Sequence, residues 1–243
     1  MQVLIDRLAA KLATIGIALL TRVTSVDLDQ TSMQWQVRSE HGTAISVDGV
    51  CLAVPAYGAA SLLAETDVLL AAALNQIAYE STATVNLAYR RADIPHALDG
   101  FGFVVPFVEK RSLIACTFSS VKFAGRAPQD CALLRGFIGG ALQPELVELD
   151  DAEIFRRVRA DLRELLGIER APLFSEISRW RNSMPQYEIG HSARVNKIAE
   201  RLAALPGLAL AGNAYSGVGI PDCIRSGEAA ADSIFNVVHK ERD

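Results

Sequence analysis

Near its carboxyl end the chain reads GNAYSGVGIPDCIRSG (residues 212–227), placing Gly212, Gly217 and Gly219 ahead of Pro221 and a run of helix formers that continues to about Val238. Glycine has no Cβ, so backbone at these positions can come close to a flat or anionic group. The leading N–H groups of a helix point outward without intrahelical partners and favour negative charge. Proline suits the first turn, where its missing N–H costs nothing. On its residues alone the stretch has two readings: a ligand-facing strand, loop and helix start, or a turn that needs glycine only for its angles. No GxGxxG match elsewhere in the chain decides between them.

Other chemistry-bearing residue types are dispersed. Cys51, Cys116, Cys131 and Cys223 form no CxxC pair and no histidine stands at metal-ligand spacing, so no metal site is expected. At least three of them lie in apolar runs and read as reduced core thiols of a cytoplasmic protein. Arginines at 156, 157, 159 and 163 are interleaved with Asp and Glu, which fits a solvated helix face better than a phosphate site. A net charge of −4 argues against nucleic acid as a partner, because such binders gather Lys and Arg on one face. No uninterrupted apolar run reaches the ~20 residues of a membrane span.

The elements that must position the glycine stretch are mixed α and β, in a chain of 243 residues of which 50% are hydrophobic. Val3, Leu4, Leu8 and Leu12 predict an opening helix that Gly16 ends. IALLTRVTSVDL (17–28), MQWQVRS (33–39) and TAISV (43–47) predict a small antiparallel meander. GVCLAVPA (49–56) predicts a strand buried on both faces, followed by one helix from about Tyr57 to Leu74. ATVNLAYR, FGFVVPF, SLIACTFSS and CALLRGFI predict one antiparallel sheet. Residues 150–166 predict a helix with Asp150 and Asp151 at its anion-favouring end and Gly167 closing it. A strand (APLFSEISRW), a helix (HSARVNKIAERLAAL) and a last buried strand (LALAG) lead into the glycine stretch.

GNAYSGVGIPDCIRSG closely resembles the carboxyl-terminal flavin motif of oxygen-dependent protoporphyrinogen oxidases and the related coproporphyrinogen III oxidases, within the monoamine-oxidase-like flavoproteins. VCLAVPAYGAASLL, LDGFGFVVP, TFSSVKFAGRAP, LLRGFIGGA and RWRNSMPQYEIGH resemble family segments in family order, so the likeness covers essentially the whole chain. One departure is Ala124, where these enzymes usually carry proline in an FPGRAP-like stretch.

The resemblance implies FAD as cofactor and a porphyrinogen as substrate, oxidised to the porphyrin in heme biosynthesis with dioxygen as final acceptor. It implies that Val23 meets the adenine of FAD through its backbone, and that Asn213, Val218, Gly219 and Ile220 lie against the flavin ring and ribityl chain. The segment holding Trp180, Met184, Pro185 and Tyr187 returns to the flavin, with Trp180 a cofactor residue, while Phe101, Gly102, Val104 and Phe137 line the tetrapyrrole cavity. Lys110, Arg111, Lys122 and Arg126 either serve propionates or face water. His191 reads as a helix-start residue, and no residue needs to act as a catalytic nucleophile or base, because the flavin supplies the chemistry.

The expected fold is α+β or α/β: a partial Rossmann-like, p-hydroxybenzoate-hydroxylase-type FAD domain without its amino-terminal GxGxxG unit, with an inserted antiparallel-sheet substrate domain. The expected limits are 1–60 and 179–243 for the two FAD-domain segments and 61–178 for the substrate domain. MQVLIDRLAAKL resembles an interior family stretch, so the chain reads as the carboxyl-terminal half of an oxidase. Its expected partner is a missing amino-terminal FAD-binding half, through which it would associate peripherally with the inner face of the cell membrane. Alone it is expected to bind FAD weakly or not at all and to lack turnover. The alternatives are a non-catalytic remnant, the interaction half of a split flavoenzyme, or another amine-oxidase-like flavin oxidoreductase.

Overall fold

Helix α1 (Gln2–Leu12) forms as the apolar spacing predicts, yet it buries none of its residues. The computed structural model describes residues 2–12 and 14–240. Two units divide the chain, one running up to Ile77 and resuming at Tyr187, the other comprising Ala78–Gln186.

In the first unit, β1 (Val23–Leu28), β2 (Trp35–Ser39) and β3 (Ala44–Val47) form the predicted antiparallel meander. The first strand is shorter than the sequence suggests. Val23 is already opposite Ser39, the last residue of β2, so among the described residues Ile17 to Thr21 have no facing strand, the Arg22 carbonyl meets only the Glu40 N–H, and Leu20 takes a left-handed backbone with its side chain fully in solvent. Trp35 anchors the meander: it is completely buried, and its indole N–H donates to the Pro206 carbonyl at 2.9 Å.

Next comes β4 (Val50–Leu52). It is not buried on both faces as expected, since Cys51 is exposed and only Leu52 is buried. The predicted single helix is two, α2 (Ala56–Leu62) and α3 (Val68–Asn75). The break has two causes, a cap and a tertiary contact. Asp67 caps α3 by accepting the Leu70 N–H at 2.9 Å, while the Thr66 hydroxyl donates to the Val26 carbonyl at 2.7 Å, which pulls the intervening chain off the helical path.

The second unit holds β5 (Tyr79–Arg90), β6 (Gly102–Val104), β7 (Ala115–Phe118), the short helix α4 (Ser119–Lys122), β8 (Cys131–Gly139), α5 (Asp151–Leu166) and β9 (Phe174–Pro185). Its strands make one five-stranded antiparallel sheet in the order β6-β7-β8-β5-β9. Alternation along β5 buries Ala83, Val85, Leu87 and Tyr89, and these join Ile154, Val158, Leu162 and Leu166 of α5 in one core. The helix starts at the two acids and ends at Gly167 as predicted: Asp150 caps it by accepting the Glu153 N–H at 2.8 Å, and Gly167 closes it in the left-handed conformation. Residues of the opposite face, Thr84, Phe137 and Val104 among them, take no part in that core.

Returning to the first unit, α6 (His191–Leu202) leads to β10 (Leu208–Leu210), which pairs in parallel with β4, and then to α7 (Ile220–Lys240). Among the described residues no helix is long and apolar enough to cross a membrane.

Candidate functional site

The chain leaves β10 at Gly212, whose φ of 123° suits glycine; nothing stands where its Cβ would be, and its N–H donates to the Ser226 hydroxyl on α7 at 3.1 Å. Residues 213–219 then bend into α7. Tyr187, Asp222 and His191 hold this bend. The Tyr187 hydroxyl donates to the Asn213 carbonyl and accepts the Gly217 N–H, each at 2.8 Å. The Asp222 carboxylate, in the first turn of α7, accepts the Gly219 N–H at 3.2 Å and pairs with Arg225.

Asp222 satisfies one of the leading N–H groups expected from the sequence to stand unsatisfied, that of Gly219. Gly219 precedes the helix and Asp222 is its third residue, so this contact is the returning half of a capping box. A Cβ on Gly217 would lie 2.5 Å from Asp222 Cγ, and one on Gly219 2.8 Å from Asp222 Oδ2. These two glycines therefore have an internal reason: they make room for the cap. The carboxylate also offsets part of the positive end of the helix.

Outward from the bend the surface is apolar. Val218 is 61% exposed and Ile220 47%. Beneath it, His191 begins α6 almost fully buried, stacks on the Tyr187 ring at 3.9 Å between centroids, and places Nε2 3.1 Å from the Tyr215 carbonyl. As expected, it is a helix-start residue that orders the segment. Elsewhere in this unit, Val23 stands at the bulged start of β1 and lines a cleft of about 620 Å³ with Arg22, Glu40, Pro55, Gly58 and Leu62.

The second unit presents its own surface, the sheet face away from α5. Cross-strand register sets its rows. One row runs Val104, Ala115, Phe137, Thr84, Ser178; the next runs Gly102, Thr117, Arg135, Asn86, Glu176. Trp180 lies opposite Thr82 on the same face, and its indole N–H reaches the Thr84 hydroxyl at 3.4 Å. Val104, Phe137, Gly102 and Trp180 are thereby gathered on one side. Phe101 lies just before β6, exposed, with its carbonyl accepting the Phe118 N–H.

Gly102 has a local explanation as well. At a φ of 143°, an added Cβ would lie 2.1 Å from the Cys116 carbonyl oxygen on the neighbouring strand. Of the basic candidates, Arg111 is committed to Glu164 at 2.6 Å and Asp161 at 3.6 Å, while Lys122 and Arg126 sit over the Phe123 ring. The cysteines depart from expectation: only Cys116 is buried, Cys51 is exposed, and Cys131 and Cys223 are half-buried.

The family model described as flavin containing amine oxidoreductase matches residues 1–235. The chain belongs to this family. Within it, the chain is 31% identical to the coproporphyrinogen III oxidase of Bacillus subtilis, over 95% of this chain and 48% of that protein. It is 36% identical to the coproporphyrinogen III oxidase of Propionibacterium freudenreichii, over 96% of this chain and 43% of that one. A solved structure from Exiguobacterium sp. 255-15, named "Putative protoporphyrinogen oxidase", superposes with a TM-score of 0.80 at 29% identity, covering 94% of this chain and 50% of that one. The chain thus spans less than half the length of these two curated relatives.

The resemblance read from the motifs is therefore shown at the level of the family, as is a mixed α/β fold shared with its flavoenzymes. Sequence reasoning missed two residues. Asp222 was marked by its position one residue after Pro221, at capping-box spacing from Gly219. Arg135 was marked by its parity with Phe137 in LLRGF, which places both on one face of a strand.

Proposed function

We propose that this chain supplies the ring-side flavin contacts and the substrate sheet of an oxygen-dependent porphyrinogen oxidase. One observation carries the reading: the open face of the five-stranded sheet brings Val104, Phe137 and Trp180 together in adjacent rows. A face of aromatic and aliphatic side chains suits a large, flat, mostly apolar macrocycle. Phe101 and Gly102 border it at the β6 edge.

FAD fits the first unit in two respects. Val218 and Ile220 offer exposed apolar side chains near Gly212, where nothing stands in place of a Cβ, and the Val23 cleft, about 620 Å³, has room for an aromatic base. Asn213, Val218, Gly219 and Ile220 would hold the ring and ribityl chain, and Val23 the adenine. Bound FAD supplies the two-electron acceptor for the porphyrinogen, with dioxygen as the final acceptor. The chain's own residues position and exclude. Tyr187 and Asp222 fix the bend, and the apolar sheet face orients the macrocycle while keeping water from it. None of them has to exchange a proton.

The reading includes a requirement for further polypeptide. Among the described residues β4 and β10 pair only with each other, in parallel, and two parallel strands are marginal on their own. Beside β10 lies an apolar groove of about 490 Å³ between Val195, Leu202, Leu210, Ala229 and Ala230. On α6, Arg194 holds Nε and Nη1 out of solvent without an acceptor among the described residues. A strand added at this edge would complete the layer.

The test is to titrate the chain with FAD and with coproporphyrin III, then assay oxidation of coproporphyrinogen and protoporphyrinogen with detection of hydrogen peroxide. The assay is run on the chain alone and mixed with the part of the Bacillus subtilis relative that it does not match. The expected result is porphyrin binding, weak FAD binding and no turnover alone, with turnover on mixing. Stoichiometric FAD without porphyrin binding would overturn the reading in favour of another amine-oxidase-like flavoenzyme. Turnover by the chain alone would remove the requirement for further polypeptide.

A further inference from the structure

We propose that Arg135 is the anchor for a substrate carboxylate on the open sheet face, so that it selects porphyrinogens by the propionates they carry. The inference rests on the porphyrinogen reading and deepens it. Arg135 lies on β8 two residues before Phe137, with Gly136 between them buried on the core side. Its side chain therefore projects on the same face as Phe137, and it is exposed there.

Its surroundings point to an anionic ligand. Nε donates to the Asn86 side-chain oxygen on β5 at 2.8 Å, which fixes the plane of the guanidinium. Among the described residues no carboxylate lies within ion-pair distance of it, in contrast to Arg111, Arg156, Arg157, Arg179 and Arg181, each of which is paired. A planar, permanently charged fork held in place with free donors matches carboxylate geometry. The apolar row next to it, Val104, Ala115 and Phe137, would carry the ring system.

The nearest acid in its own row is Glu176, on the far side of Asn86. Two strand spacings put it at roughly 10 Å, about one screening length at physiological salt, so it repels an anion at Arg135 only weakly. It also sets the direction of approach. A carboxylate should reach Arg135 from the β7 side, over Thr117 and Gly102, where glycine leaves the row open.

The test uses the full chain and two porphyrin probes, coproporphyrin III and its tetramethyl ester, titrated by absorbance and fluorescence. The variants are Arg135→Gln, Arg135→Lys and, as a charge-matched control away from the face, Arg170→Gln, each checked for folding by circular dichroism. Arg135→Gln is expected to weaken binding of the acid by about tenfold or more while leaving the ester unchanged. Arg135→Lys should recover part of the loss, and Arg170→Gln should match the parent chain. Equal affinity of Arg135→Gln and the parent for the acid overturns the role of Arg135 and leaves the porphyrinogen reading standing. Equal weakening for acid and ester also overturns it, in favour of packing. Failure of the parent chain to bind either probe overturns both.

Discussion

The hydroxyl of Tyr187 accepts the backbone N–H of Gly217 at 2.8 Å, so a side chain that precedes α6 holds the bend that precedes α7. The same hydroxyl donates to the Asn213 carbonyl at the other end of the bend. One oxygen thus satisfies two backbone groups that the irregular chain path leaves without ladder partners.

Tyr187→Phe removes both bonds and keeps the ring stacked on His191. Because the residue is 43% exposed, water replaces part of what is lost, and the cost should be about 1 kcal/mol. Hydrogen exchange read at the Gly217 amide should rise well above the change seen at β5 amides. Unchanged protection at Gly217 would show that the Asp222 cap alone fixes the bend.

Gly102→Ala tests whether that glycine serves the sheet before it serves any ligand. A methyl group 2.1 Å from the Cys116 carbonyl and a φ of 143° cannot both be accommodated, so β6 must leave β7 or distort it. The expected loss is about 2–3 kcal/mol in denaturant unfolding of the ligand-free chain. A stable variant that had lost only porphyrin binding would assign the glycine to the ligand instead.

Thiol accessibility should separate the cysteines. Burial pushes the Cys116 thiol up to about 12, so it presents almost no thiolate at neutral pH and no route for a reagent, whereas Cys51 is exposed on β4. Alkylation at neutral pH followed by mass spectrometry should modify Cys51 in the folded chain and Cys116 only after denaturant is added. Modification of Cys116 at the rate of Cys51 would show that the core of the sheet opens readily.

Much of this was legible in the sequence because alternation and capping are local. The apolar period of β5, the Asp150 and Gly167 caps of α5 and the glycine stretch before Pro221 each announce their element within a few residues. What was hidden depends on residues far apart. The helix break at Asp67 is stabilised by Arg201, which comes 134 residues later, and the alanine-rich composition on either side reads as one continuous helix. Among the described residues β4 pairs only with β10, and Cys51 on it is exposed, which no local pattern encodes. At the site, the family motifs located the bend and the sheet face, but the reason for Gly217 and Gly219 appeared only when Asp222 was seen folded onto them.

The contact between Asp67 and Arg201 carries a prediction about pH. Burial raises the Asp67 carboxyl, but the Leu70 N–H and the Arg201 guanidinium together outweigh it and leave the pKa below the ordinary value of 3.8. The Arg201 Nε and Nη2 donate to one carboxylate oxygen at 2.9 and 2.6 Å while the other oxygen caps α3. A carboxylate whose native pKa is depressed contributes stability that is fully present above its unfolded value and is lost as pH falls through the native one. The contribution should therefore be complete at neutral pH and should decline below about pH 3.8. Asp67→Ala should cost about 2–3 kcal/mol at pH 7, combining a lost cap with a lost charged contact to a partly exposed arginine. Asp67→Asn, which can still cap, should cost less. In urea unfolding measured from pH 7 into the acid range below pH 3.8, the parent and Asp67→Ala curves should draw closer as the carboxylate protonates. Curves that stay parallel throughout the acid range in which the chain remains folded would show that the carboxylate's charge contributes nothing and that only the cap matters.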